Sequence, residues 1–343
     1  MLRFVKGRIV LLTVVMILLV NLGALAAARP GEGVVVRPAK ASWLSSEPKS
    51  VVISLLLQEL GYQVEEPRMF SSNPLAYQAI VQGDIDYWPS GWFPGHTPQV
   101  PSNFEREAVL AGTICTGCGI EGYLVDIPSI ERFNIKSLDD FKRPEVKQAF
   151  DANRDGRADL FGCPPGWGCH EVVEYHLDAY DLRDHVNHVT ADYTFNLANA
   201  VARIKAGEPT LLYTWAPNNS ILLAVPGEDV LWINVPYIDK APAHEDFEDE
   251  ALIVEGMEHA VSDPLLMGFV ANNIHIVANR RFIEANPAAA ELFRQVKLSL
   301  EWISEATLRI DEGEDPWAIG REWIEENRET VDQWLEAARQ AAE

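Results

Sequence analysis

Along the chain, short apolar runs alternate with amphipathic stretches that open on a capping residue or a proline and close on glycine. This rhythm predicts strands and helices in turn. The valines of 33–37 form a strand that ends before Pro38. Ser46 caps a helix with Pro48 in its first turn, carrying Val51, Val52, Leu55, Leu56 and Leu60 up to Gly61. Residues 62–64 are the next strand; Asn73 then caps a helix with Pro74 at its start, carrying Leu75, Ala79, Ile80 and Val81 to Gly83. Strand, helix, strand, helix with short connections predicts a parallel α/β layer.

Further on, 121–126 is an apolar strand, and 137–150 is helical with Ser137 as its cap and a break at Pro144. Helices follow over 172–182 and 193–206, with strands over 210–214 and 230–235. The apolar run at 273–278 is a returning strand. Helices at 281–293, 296–308 and 315–341 finish the chain, and Trp317, Trp323 and Trp334 of the last one fall near helical spacing as packing residues. The implied architecture is α/β and two-lobed: residues 29–120 begin lobe one, 121–272 form lobe two, and 273–343 return to lobe one, with a ligand cleft between the lobes.

Length and charge agree with this picture. The 343 residues allow two domains with a sizeable core. Arg3, Lys6 and Arg8 precede the apolar run 9–20, and Ala24, Ala26, Ala27 and Ala28 follow it, which is a secretory signal pattern over 1–28 with cleavage after Ala26 or Ala28. The competing reading is an uncleaved anchor helix over 9–28; Asn21 and Gly23 interrupt the run and favour cleavage. The formal charge of −23 becomes −26 without the three basic residues of the leader, which excludes nucleic acid as a partner. An acidic surface also suits a saline habitat, in which case stability rises with salt.

The densest chemistry lies in 151–169, DANRDGRADLFGCPPGWGC. Asp151, Asn153, Asp155, Gly156 and Asp159 repeat the start of a calcium-binding EF-hand loop, with the Arg157 carbonyl available at the seventh place. Gly162 stands at the twelfth place, where such a loop carries a bidentate glutamate. The pattern admits a structural calcium or an unmetallated Asx turn. Cys163 and Cys169 bracket Pro164, Pro165, Gly166, Trp167 and Gly168, and a disulfide between them closes a stiff ring that holds Trp167 out as a fixed aromatic face. Cys115 and Cys118 form a CTGC open to three readings: a local disulfide, free thiols, or a redox pair.

The motifs GCPPGWGC, SGWFPGH at 90–96 and YTWAP at 213–217 occur in an order that resembles the glycine betaine/proline betaine-binding proteins of ABC transporters. The similarity extends over LLLQELGYQV, IVQGDIDYWPSGW, EGYLVD, HIVANRRF and NPAAAELF. The resemblance implies a periplasmic-binding-protein fold of type II, export to the periplasm, a monomer that delivers its ligand to a membrane permease, and no enzymatic activity. It maps a cation cage onto Trp92, Trp167 and Trp215, and places the ligand carboxylate on the His96 side chain and the backbone N–H groups of Gly168 and Cys169. A trimethylammonium donates no hydrogen bond, so aromatic faces are the groups suited to it, each contributing about 0.5–2 kcal/mol. Asn218 and Asn219 depart from the bulkier residues expected after YTWAP, which opens the question of ligand preference.

Other classes find less support. A choline or carnitine binder of the same fold keeps the tryptophans and dispenses with His96. An exported thiol oxidoreductase requires reactive Cys115 or Cys118, and a receptor ectodomain requires a retained leader. His170 to Glu174 reads HEVVE, which lacks the second histidine of the zinc-protease motif, with His176 on the wrong face of the helix. No GxSxG, Walker A or GxGxxG in its proper context is present.

Overall fold

A computed structural model describes residues 29–343; the leader read over 1–28 lies outside them. Val35–Val36 (β1) and Ala39–Ala41 (β2) carry the opening strand past Pro38, which bridges Tyr87 without ending it. After the helix Glu47–Glu59 come Gln63–Val64 (β3), parallel to β1, and Arg68–Phe70 (β4), parallel to β2. Ser46 begins this helix but does not cap it through its side chain; its Oγ instead accepts from the Ala41 N–H at 2.8 Å and meets Ser90 Oγ at 2.9 Å. The helix Asn73–Gln82 leads to Tyr87–Phe93 (β5). Asp86 fastens β5 beside the opening strand, accepting from the Arg37 guanidinium at 2.7 Å and from its backbone N–H at 2.7 Å.

The backbone of the molecule is Ala108–Asp126 (β6), a strand of 19 residues. Ala158–Phe161 (β7), Val186–Val189 (β8), Leu211–Ala216 (β9) and Val230–Ile233 (β10) follow; Ile253–Val254 (β11) pairs with Leu265–Leu266 (β12), and Asn272–Asn279 (β13) returns. The main sheet has the order β5-β13-β6-β9-β7-β8, with β10 also on β6. β6 changes partners between neighbouring residues: Gly119 pairs with Asn272 of β13, and Ile120 with Ala216 of β9. Its first half pairs with β13, running antiparallel beside it, and its second half with β9 and β10.

Only the end of β6, 121–126, is legible as an apolar strand, because three glycines interrupt the rest. Two of them are demanded by packing. A Cβ on Gly112 would lie 1.8 Å from the Phe293 carbonyl oxygen, and one on Gly119 would lie 2.7 Å from the Trp92 ring.

The helix expected over 137–150 is a 3-10 turn, Leu138–Lys142, capped by Ser137 and Asp140, followed by Pro144–Phe150. The helix expected over 315–341 is two, Pro316–Glu326 and Arg328–Gln340, separated at Asn327. Trp323 and Trp334 are buried there and Trp317 is half-buried. Gly320 lets its helix approach Glu47–Glu59, since a Cβ there would meet Val51 at 2.7 Å. No described helix is long and apolar enough to cross a membrane.

Candidate functional site

Six residues singled out in the sequence, Trp92, His96, Trp167, Gly168, Cys169 and Trp215, line one cleft between the lobes. Trp92 pairs with Ile274 near the end of β5, and His96 lies in the turn beyond it. Trp167 is the residue before the helix Gly168–Ala179, in extended conformation, and Trp215 lies near the end of β9. Both Trp92 and Trp215 therefore stand within their strands rather than on the loops that follow.

The rings form connected, mostly tilted walls. Trp167 meets Trp215 edge-to-face with centroids 5.7 Å apart, and Trp43 meets Trp167 at 5.2 Å and 73°. Tyr193 lies 4.4 Å from Trp215. Perpendicular indoles offer faces in several directions, which is what enclosing a rounded cation requires. Trp92 lines the cleft apart from this contact chain, its indole N–H buried without a partner. The lobes hold one another here: Trp167 Nε1–H donates to Ser42 Oγ at 3.3 Å, Trp215 Nε1–H to Ser45 Oγ at 3.4 Å, and the Asn73 N–H to the Gly166 carbonyl at 3.1 Å.

His96 occupies the opposite corner. The Trp92 backbone N–H points at its Nδ1 from 3.2 Å and the Tyr77 hydroxyl lies 2.7 Å from the same atom, so Nδ1 accepts and the ring proton sits on Nε2. Nε2 is 3.0 Å from Asn73 Nδ2, itself a donor to Gln99 Oε1 at 2.8 Å, so the Nε2–H finds no acceptor there. A Cβ on Gly168 would come within 3.3 Å of the imidazole, which puts the His96 edge against the start of the helix Gly168–Ala179. The first N–H groups of that helix have no partner inside it and carry the positive end of its dipole. Burial pushes the His96 imidazole down to about 3, so it is a neutral donor throughout the physiological range.

Glu121, at the crossing of β6, also lines the cleft. It accepts from the Tyr213 hydroxyl at 2.5 Å and from the Asn272 amide at 2.9 Å. Burial pushes its carboxyl up to about 7, with those two hydrogen bonds opposing. Tyr213 and His244 complete the lining, and burial lowers His244 to about 4.

Residues 34–326 match the family described as the substrate-binding domain of the ABC-type glycine betaine transport system. The chain belongs to that family. The glycine betaine-binding periplasmic protein OusX of Dickeya dadantii is 35% identical over 318 residues, 91% of this chain and 92% of the relative. Lactococcal OpuAC, solved closed with glycine betaine, superposes with a TM-score of 0.65 at 19% identity, covering 88% of this chain and 99% of that one. An ABC-transporter choline-binding protein solved with choline superposes at 0.66 and 17% identity, covering 90% and 96%. These relatives and fold neighbours are substrate-binding proteins and not enzymes.

In this betaine-transport family member, Cys163 and Cys169 form a disulfide that closes the ring containing Trp167, and Cys115 and Cys118 are bridged within β6. The described chain has no free cysteine; a bridged Cys115–Cys118 is equally the oxidised state of a redox pair, and the family of substrate-binding proteins is what removes the thiol-oxidoreductase reading. The loop 151–159 wraps on itself: Asp151 accepts from the N–H of Asp155 at 3.0 Å and of Gly156 at 2.9 Å, Asn153 Oδ1 from the Asp155 N–H at 2.8 Å, and Asp159 from Ala152 and Asn153 at 3.0 Å. The Arg157 guanidinium donates to Asp155 at 2.9 Å. Asn218 and Asn219 are both buried; Asn219 reaches Asp311 at 3.1 Å, and Asn218 donates to Ser220 at 3.1 Å.

Sequence reading missed Trp43, Asn73, Glu121, Tyr213 and His244 as cleft residues. Trp43 stands two residues beyond the end of β2, a signal hidden because Pro38 reads as the strand's end. Asn73 was expected to cap a helix, but the cap position is Ser72 and the Asn73 side chain faces His96 and Gln99.

Proposed function

We propose that the chain is the extracytoplasmic substrate-binding subunit of an ABC importer, exported to the periplasm by its leader, which captures glycine betaine or a close relative as a monomer and delivers it to a membrane permease. What carries the reading is the adjacency of Trp167 to the first turn of the helix Gly168–Ala179: an aromatic face for a trimethylammonium stands next to bare amides for a carboxylate. Trp43, Trp92, Trp167 and Trp215 wall the cation. The N–H groups of Gly168 and Cys169 and His96 Nε2–H receive the carboxylate, with no arginine to repel the cation. Capture closes the lobe of residues 29–120 and 273–343 on that of 121–272, and release at the permease reopens them.

A second reading, choline as cargo, is favoured by Glu121. An ionised carboxylate on the cleft wall attracts a cation and disfavours a second carboxylate. The loop at 151–159 is proposed to hold calcium structurally and weakly, since Arg157 occupies one oxygen of Asp155 and no carboxylate stands at Gly162.

The test is calorimetric titration with glycine betaine, choline and proline while tryptophan fluorescence is followed. Saturable binding of glycine betaine with a fluorescence change, and little with proline, supports the first reading. Binding of choline alone selects the second, and silence with all three removes both.

A further inference from the structure

The motif HEVVE starts one residue beyond the cleft amides and lacks the second histidine that would make it a metal motif. The fold supplies one. His170 and Glu174 lie four apart on one face of the helix Gly168–Ala179, and β8 brings His188 against them. One donor atom from each of the three lies within 4.8 Å of the other two, and theirs is the one such gathering among the described residues. His188 Nδ1 stands 2.7 Å from Glu174 Oε1, and the two imidazoles stack with centroids 5.3 Å apart.

We propose that His170, Glu174 and His188 form a binding site for a zinc-type divalent ion. Two imidazoles and one carboxylate suit zinc, nickel or copper and not calcium or magnesium, which take oxygen ligands. Three further observations support it. His188 is almost wholly buried, its side chain 3% exposed, yet its Nε2 has no partner. Glu174 alone therefore holds the ring as an Nδ1–H donor, and an ion taking Nδ1 moves that proton to Nε2, buried against Gly162 without an acceptor, a cost that the metal bonds must exceed. His170 Nδ1 lies 3.4 Å from the Cys163 carbonyl, the backbone contact that orients a ligating imidazole and leaves its Nε2 for the metal. Gly162 is obligatory beneath the site, since a Cβ there would lie 2.1 Å from His188 Nε2. To ligate one ion, the Nδ1–Oε1 pair opens from 2.7 Å to about 3.3 Å, the edge of a tetrahedron with bonds near 2.0 Å.

Arg183 competes for the same carboxylate. It donates to Glu174 Oε2 and grips Asp178 with a bond at 2.8 Å. Without metal, Glu174 is shared between the Arg183 guanidinium and the His188 imidazole; with metal, the helix that presents Gly168 and Cys169 to the cleft is fastened to β8.

The experiment is calorimetric titration of the chelator-treated, full exported protein with zinc chloride, with cobalt(II) absorbance as a second readout. We expect one site with a Kd of about 10 μM or tighter, a visible cobalt band of tetrahedral type, and a rise in melting temperature with zinc. His170→Ala should weaken binding at least about tenfold, since it removes one of three ligands. Arg183→Ala should strengthen it, because the competing cation is gone, a result that a merely structural role for Glu174 does not produce. No uptake by the wild type at about 100 μM zinc, or equal affinity in wild type and His170→Ala, overturns the site.

Discussion

Tyr213 donates its hydroxyl to Glu121 Oε1 across 2.5 Å, so the carboxyl on the cleft wall is held from the strand that also carries Trp215. The titratable groups lining the described cleft are His96, Glu121, Tyr213 and His244. His96 and His244 are pushed down to about 3 and about 4, and burial raises Tyr213 well above its ordinary value. Glu121, near 7, is then the cleft group that changes charge between pH 6 and 8. Below that point it is a neutral donor, and above it an anion. Choline affinity should rise by about tenfold as pH climbs through 7, on the scale of one partly screened charge pair, while glycine betaine gains nothing or weakens. Calorimetry across pH with wild type and Glu121→Gln checks this. The variant should be flat, and a wild-type choline profile that is equally flat would show that the carboxyl does not sense the cation.

Trp167 is the wall shared by Trp43, Tyr193 and Trp215, so its removal opens three contacts at once. Trp167→Ala should abolish betaine binding or weaken it by more than about tenfold. Trp43→Ala should cost about 3- to 30-fold, the range of one cation–π face. Far-UV circular dichroism should be unchanged in both. Wild-type affinity in Trp167→Ala would remove the cage.

His96 is a neutral Nε2–H donor whose Nδ1 is already committed to Trp92 and Tyr77. His96→Ala should therefore weaken glycine betaine far more than choline, which has no carboxylate. Equal losses for both ligands would assign the imidazole a packing role under Trp88, which stacks on it with centroids 6.0 Å apart.

How much of this was legible depended on whether the chemistry was local. Trp92, Trp167 and Trp215 each stand beside glycine or proline within a short recognisable motif, and the strand–helix rhythm announced an α/β chain. Glu121 and Tyr213 were not legible, because each reads as one residue of an apolar strand and gains meaning only when β6 and β9 pair side by side. Most of β6 was hidden by Gly112, Gly117 and Gly119, which look like turn residues but permit close packing or a bulge. His188 lies fourteen residues beyond Glu174, a separation at which no helical spacing can relate them.

Acid should destabilise the protein before its carboxylates are titrated. His96 and His176 are pushed from 6.5 down to about 3, and His244 from 6.5 to about 4, each chiefly by burial. Below pH 6.5 the unfolded chain takes up protons that the folded chain refuses, so stability is full above 6.5 and falls toward those lower values. Glu121 acts in the opposite sense between its ordinary 4.5 and about 7, where the folded state keeps a proton that the unfolded state has released. The net is up to about two protons, or about 2.7 kcal/mol per pH unit near pH 5. Denaturant unfolding at pH 7, 6 and 5 checks the slope; stability that rises from 7 to 5 would contradict it.

Asn219 ties the second lobe to the C-terminal helix Leu300–Asp311 through its bond to Asp311 at 3.1 Å. Asn219 and Asp311 share a small second pocket with Trp43, Trp167 and Trp215, and neither lines the ligand cleft itself, so we expect the contact to contribute to closure without choosing the ligand. A partly buried neutral-to-charged hydrogen bond contributes about 1.5–3 kcal/mol. This bond is expected to part when the lobes open, so that Asn219→Ala weakens the closed state alone and leaves Asp311 hydrated in the open one. The closed population should drop, and with it the affinity for every ligand by the same factor, because only a fraction of the molecules is then competent to bind. Calorimetry with glycine betaine and choline should show parallel losses of about tenfold, and small-angle scattering should show a larger radius of gyration for the unliganded variant. A loss confined to one ligand would mean that Asn219 shapes the cage rather than the latch.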